Sequence, residues 1–194
     1  MDAIRVRRWY AEMQMNTRMA WLFLLSGLFA TTSTAPAQTA PPLPASATQE
    51  KTVRFDGTST AKLILQARGE GVQIYTCVQA TDWSWKLKAP DATLFDARHQ
   101  AIGKHFGGPT WRLDDGSEVQ GKVLESKQQA GTIPWLILSA KPTGGEGVLS
   151  HVDAVRRTET DGGLAPSTGC DAQHAGVEVR VPYSAAYSFF DTKN

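Results

Sequence analysis

The sequence predicts an all-β domain, an antiparallel β-sandwich or closed β-barrel of about nine to ten strands. Three observations predict it. Past position 50, apolar residues recur with period two, the spacing of a strand that buries one face. Glycine and proline turn signals divide these runs. No amphipathic stretch of three helical turns interrupts them. The chain has 194 residues, with 20 Lys+Arg, 19 Asp+Glu and two Cys. That length suits one ordinary domain with a tail.

The tail comes first. Residues 19–30 are a continuous apolar run of twelve, where a membrane-crossing helix needs about twenty. Arg5, Arg7, Arg8 and Arg18 precede it, and Ala35-Pro-Ala37 follows as a small-x-small cleavage pattern. Basic flank, short apolar run and A-x-A end together predict a secretory signal peptide over residues 1–37. Met15 makes a more compact start, so the initiator stays open. The Arg7-Arg8 pair lacks the usual flanking residues of a twin-arginine signal and leaves the export route open. Residues 38–50, with Pro41, Pro42 and Pro44 and only Leu43 as a large apolar residue, predict a flexible spacer. Residues 51–194 are then the domain. Residue 38 is Gln, so the lipoprotein cysteine after cleavage is absent. The expected location is secreted or periplasmic, with no stable membrane insertion after cleavage. Losing four Arg with Asp2 and Glu12 takes the formal charge from +1 to −1. Neither value suits a nucleic-acid binder.

The strands follow in order. Leu63, Leu65 and Ala67 alternate with Lys62, Gln66 and Arg68, Ile64 being the exception. Arg68-Gly-Glu-Gly71 reads as a turn. Val72, Ile74 and Val78 then share one face, and Gln73, Tyr75, Cys77 and Gln79 the other. Trp83, Trp85 and Leu87 alternate with Ser84, Lys86 and Lys88. Asp114-Asp-Gly116-Ser117 contains an Asp-Gly hairpin signal. Residues 133–140 form a continuous apolar run, as in a strand buried on both faces. Pro142-Thr-Gly-Gly-Glu-Gly147 reads as a turn, residues 150–156 as a strand, and Asp161-Gly-Gly163 as a turn. Val177, Val179, Val181 and Tyr183 close the series, alternating with Glu178, Arg180 and Pro182. Cys77 lies on the second predicted strand and Cys170 in the loop before the last. In an exported chain two cysteines pair most simply as one disulfide. The alternative is two free thiols, one of them buried.

Several runs carry a chemical suggestion that their context weakens. Gly145-Glu-Gly147-Val-Leu-Ser150 imitates a dinucleotide-binding loop, yet it lacks the third glycine and the helix whose N-terminus holds the pyrophosphate. Gly116 to Lys122 has phosphate-loop spacing, but Val123 stands where a Mg²⁺-binding hydroxyl belongs. No cofactor is expected. Two cysteines are too few for a four-thiolate metal site. His99, His105, His151 and His174 show no metal-ligand spacing, which leaves His105, His151 and Asp153 as weak candidates for a site assembled by the fold. On a strand Ser150 faces away from His151 and Asp153, against a nucleophilic triad. Asp91 and Asp96 sit about a Pro-Asp turn and read as caps rather than paired catalytic carboxylates.

The aromatic residues point to binding. Trp83 and Trp85 share a face, where exposed indoles would stack on sugar rings and offer free N–H groups; the alternative is that both pack into the core. Trp111 and Trp135 read as core. His105 lies between Gly103 and Gly107-Gly-Pro109, beside Trp111, where it would either hydrogen-bond a turn or take part in a site.

Further runs carry a resemblance. They are Gly71-Val-Gln-Ile-Tyr-Thr-Cys77, Pro90-Asp-Ala-Thr-Leu-Phe-Asp96 and Ile102-Gly-Lys-His-Phe-Gly-Gly-Pro-Thr-Trp111. Asp115-Gly-Ser117, Gly147-Val-Leu-Ser150 and Thr160-Asp-Gly-Gly163 follow, then Gly169-Cys170 and Val179-Arg-Val-Pro-Tyr-Ser184. Taken in this order, residues 53–190 resemble a family of secreted bacterial and fungal proteins, domain of unknown function thirty-four fifty-five. The resemblance implies export and a single β-rich domain, and no activity. The leading expectation is a non-enzymatic ligand-binding or surface-interaction module for a small molecule or glycan, built on Trp83, Trp85, His105 and Trp111. The alternative is a secreted enzyme or metalloprotein with a site around His105.

Overall fold

A computed structural model describes residues 52–194. The expected signal peptide and spacer lie outside the described residues. The period-two runs form eight strands: β1 (Lys62–Gln79), β2 (Trp83–Phe95), β3 (Ala101–Phe106), β4 (Thr110–Leu113), β5 (Glu118–Gln129), β6 (Thr132–Gly144), β7 (Ala154–Gly162) and β8 (Glu178–Asp191). Each pairs antiparallel with the next, and β8 returns to pair with β1, so the sheet closes into an up-and-down barrel. Of the two expected architectures the barrel is the one formed. Closure satisfies the strand edges that a sandwich would leave to other cover. A 3₁₀ turn, Ala172–His174, precedes β8. No helix among the described residues is long and apolar enough to cross a membrane, which says nothing of strands.

There are eight strands rather than nine or ten, partly because the expected turn at residues 68–71 does not exist. β1 runs through it. Gly69 and Gly71 serve close approach instead. A Cβ on Gly69 would lie 2.6 Å from the Tyr187 ring, and one on Gly71 would collide with the backbone of Asp91 and Ala92. The Pro90-Asp91 step likewise lies within β2, where Asp91 pairs with Arg180. Asp96 does cap a turn: its Oδ1 accepts from the N–H groups of Arg98 and Gln100. Residues 150–156 start as a turn and reach strand only at Ala154.

The Asp-Gly signal holds. Asp115 Oδ1 accepts from Ser117 N and Oγ, and Gly116 sits at φ +87° between β4 and β5. A Cβ there meets nothing within 4 Å, so Gly116→Ala tests backbone conformation alone. It is expected to lower unfolding free energy by about 1 kcal/mol in urea titration. A neutral substitution would contradict the left-handed geometry.

The lumen is filled by side chains. Leu94, Trp111, Val119, Leu138, Val155, Ala185, Tyr187 and Phe189 are all at most 1% exposed. Leu149 and Val152, from the connection between β6 and β7, join this core. Their loop is held by Asp115 Oδ2 accepting from Val148 N and Ser117 Oγ accepting from Leu149 N. On β1 the inward face carries Gln73, Tyr75 and Cys77, while Val72 and Ile74 are only half-buried. A strap of residues 163–177 lies against the Cys77 end of β1. The Cys77–Cys170 disulfide ties it there, together with backbone bonds from Cys77 N to Val177 O and from Gly176 N to Cys77 O.

The apolar run of β6 divides its two faces. Leu138 pairs with Val155 in the lumen, so Trp135 and Ile137 point outward. Their outer cover is the N-terminal segment, whose Phe55 ring lies 6.4 Å from that of Trp135.

Candidate functional site

The outward face of β6 and the N-terminal segment enclose a groove of about 830 Å³. The sequence makes it for a simple reason: a closed barrel admits one face of a strand, so alternate apolar residues of a continuous run stay outside. Trp135, Ile137 and Leu124 supply its apolar surface, and Phe55 closes one side. Lys127 Nζ stands 5.6 Å from the Trp135 ring centroid, a cation–π distance. Local bonds hold the segment in place. Arg54 N donates to Ser59 Oγ, and Arg156 Nη1 donates to Arg54 O. Asp56 accepts from Thr58 N and Oγ1, and the Thr58 hydroxyl is the main cause that lowers the Asp56 pKa. Asp153 is equally committed, accepting from Thr192 N and Oγ1. The side chains of Arg54, Glu125 and Lys127 remain as charged groups of the lining, Lys127 beside the indole. The lining holds neither His nor Cys. Such a groove suits stacking and hydrogen bonding to a ligand.

The four residues singled out by sequence fall into two pairs. Trp83 and Trp85 are half-buried at the start of β2 and share the register face of Cys77. Trp85 Nε1 is not free: it donates to Thr168 O of the strap at 2.9 Å. His105 and Trp111 are cross-strand partners on β3 and β4, and both face the lumen at 2% and 1% exposure. Their rings stack 4.5 Å apart at 7°. A ligand could stack on neither without opening the barrel. His105 takes the turn-bonding role, with Nδ1 2.8 Å from Thr110 O. A carbonyl only accepts, so Nδ1 carries the proton. Burial is the main cause that pushes the His105 pKa down to about 4, with the Thr110 bond opposing it.

The weak metal candidates are not gathered. His105 is in the lumen, His151 is exposed on the loop before β7, and Asp153 holds Thr192. Among the described residues no group of three or more His, Cys, Asp or Glu is placed to hold a metal ion. Ser150 Oγ accepts from Gly147 N, fixing the loop rather than serving a histidine.

Trp135 is the residue that sequence reasoning missed. It sits in a run read as doubly buried. The available signal was the architecture: if the sheet closes, half of that run needs cover from outside the barrel.

Comparison with known proteins adds a family. A family model described as "Protein of unknown function (DUF3455)" matches residues 58–191. No curated protein and no solved structure matches the chain. The matched span contains all eight strands of the barrel and more than half of the chain, and the protein therefore belongs to the DUF3455 family.

Proposed function

We propose that the protein is an exported, non-enzymatic binding module that takes a small molecule or a glycan in the groove outside β6. The observation that carries the reading is the half-buried Trp135 indole, flanked by Phe55 and set beside Lys127 and Glu125. An indole face accepts the apolar C–H face of a sugar ring, and flanking charged groups bond its hydroxyls. Export is supported by the N-terminal apolar run with its basic flank, and by the Cys77–Cys170 disulfide, which persists in oxidising compartments.

A glycan array followed by titration of tryptophan fluorescence tests the reading. A binder should appear, and Trp135→Ala should weaken it about 10-fold or more, near 1.4 kcal/mol, as for an aromatic anchor. The circular dichroism of the barrel should not change. Trp83→Ala should bind normally. Absence of any binder would overturn the reading. Loss of binding in Trp83→Ala alone would move the ligand to the tip of the β1–β2 hairpin.

A further inference from the structure

The short β4 leaves part of its neighbour's edge bare. It pairs with β5 only from Thr110↔Gln120 to Arg112↔Glu118, and the last main-chain bond on that side runs from Gly121 N to Pro109 O. β5 continues to Gln129. Over residues 122–129 it pairs with β6 alone, and no other main-chain group among the described residues bonds it. The side chains are as bare as the edge. Residues 122–128 are all exposed, with Val123 at 47% and Leu124 at 62%. Such an edge is a template for another strand. β2 also outruns its neighbour, since the β2–β3 ladder reaches only Ala92↔His105. That edge is defended: Pro90 has no N–H to donate, and Trp85 is engaged by Thr168 O of the strap. Residues 122–129 hold no proline.

Bulges confine what can pair there. The β5–β6 register shifts between Val123 and Glu125 and again between Lys127 and Gln129, which leaves residues 125–127 as a regular run. Glu125 and Lys127 are in register with Ile137 and Trp135 and share their outward face, while Ser126 alternates to the other. None of the ion pairs among the described residues includes Glu125 or Lys127. Lys127 instead rests near the Trp135 ring. Two copies of one strand pair antiparallel about a two-fold axis that lies between a residue and its own copy. An axis at Glu125 or at Lys127 sets like charges opposite each other. An axis at Ser126 sets Glu125 opposite Lys127 of the second copy, and does so twice. The run is therefore complementary in charge to itself, and the strand that fits this edge is its own copy.

We infer that β5 is a homodimerisation edge, at which residues 125–127 of two copies pair antiparallel about Ser126. Each copy has one such edge, so the pairing closes at a dimer. The charges and the flanking bulges hold it to one register. Val123 and Leu124 lie beside the paired run and lose exposure at its ends. The two hairpins merge into one sheet face in the order β6–β5–β5–β6. The row from Trp135 to Lys127 then continues into Glu125 and Ile137 of the second copy. The inference needs no ligand in the groove outside β6 and stands independently of the glycan reading.

Sedimentation equilibrium of the oxidised protein, over a wide range of concentration at low salt, reads it out. A single monomer–dimer equilibrium is expected, and added salt should weaken it. E125K sets lysines opposite each other and should weaken dimerisation about 10-fold or more. The double exchange E125K/K127E restores opposite charges and should recover it. Circular dichroism checks that each variant keeps the barrel. L87Q changes an exposed residue on the bare part of β2 and should dimerise as the parent does. A single-chain mass at every concentration, assembly beyond the dimer, or a dimer indifferent to E125K would overturn the inference. So would a double exchange that fails to recover the dimer, or a dimer lost in L87Q alone, which would place the interface on β2.

Discussion

Replacing Cys77 and Cys170 together by alanine is expected to destabilise the barrel by about 4–5 kcal/mol, as the chain-entropy account gives for a loop of this length. The two cysteines are 93 residues apart in sequence. Their bond therefore removes a large set of conformations from the unfolded chain, and little else of comparable reach links the strap to β1. In the folded state the strap depends on Cys77 N bonding Val177 O, Gly176 N bonding Cys77 O, and Trp85 Nε1 bonding Thr168 O. Most of residues 164–177 are exposed, so burial adds little to hold it. Alanine is the right replacement because Cys77 is 1% exposed and a serine would bury a hydroxyl there. Urea unfolding of the parent and the double variant, both at neutral pH, measures the difference. Reductant should shift the parent towards the variant and leave the variant unmoved. A loss below about 1 kcal/mol would mean that the unfolded chain is already restrained, and would remove the entropic argument.

The disulfide is legible in the sequence because the export expected from the N-terminal pattern and the count of two cysteines together leave few choices. Strand boundaries are less so. Gly116 and Gly71 look alike on paper, since both lack a Cβ. One needs a positive φ in a turn, and the other needs room for the Asp91–Ala92 backbone of a strand that arrives later in the chain. Only Gly116 has the local Asp-Gly signature that betrays its role. That Trp83 and Trp85 share a face can be inferred from period two, but the occupation of the Trp85 indole by Thr168 depends on a partner 83 residues away. The same holds for Trp135, whose exposure follows from sheet closure and not from its neighbours. Sequence patterning thus reports which residues share a face. It does not report which face turns inward: on β1 Gln73 and Tyr75 are buried ahead of Val72 and Ile74. Tyr75 is satisfied there by Gly163 O, an acceptor at the start of the strap that follows β7.

His105 gives the second large effect, through pH. Its folded-state pKa is lowered to about 4, against 6.5 for an unperturbed imidazole. Below pH 6.5 the unfolded chain therefore takes up a proton that the folded chain refuses. The sign follows: the folded state keeps its full advantage above pH 6.5 and loses it as pH falls towards 4, by up to about 3 kcal/mol. The carboxylates with lowered pKa values, Asp115, Glu118 and Asp191 among them, act in a lower window. Hydrogen bonds stabilise their charged forms, so their contribution is present at neutral pH and disappears only once they protonate, below about pH 4. The two windows barely overlap, and His105 should dominate the upper one. His105→Gln keeps a donor that can reach Thr110 O while removing the titrating ring. It should be less stable than the parent at pH 7, because the stack on Trp111 is lost, yet its unfolding free energy should stay nearly flat from pH 7 to 5 where the parent declines. The slope, not the absolute stability, is the test. Packing loss alone would shift both ends of the profile equally. A parent profile flat over this range, or a His105 ring resonance that titrates near 6.5 in the folded protein, would show that proton entry costs the barrel nothing. The lumen would then be open to water at the His105–Trp111 stack, contrary to the burial of both rings.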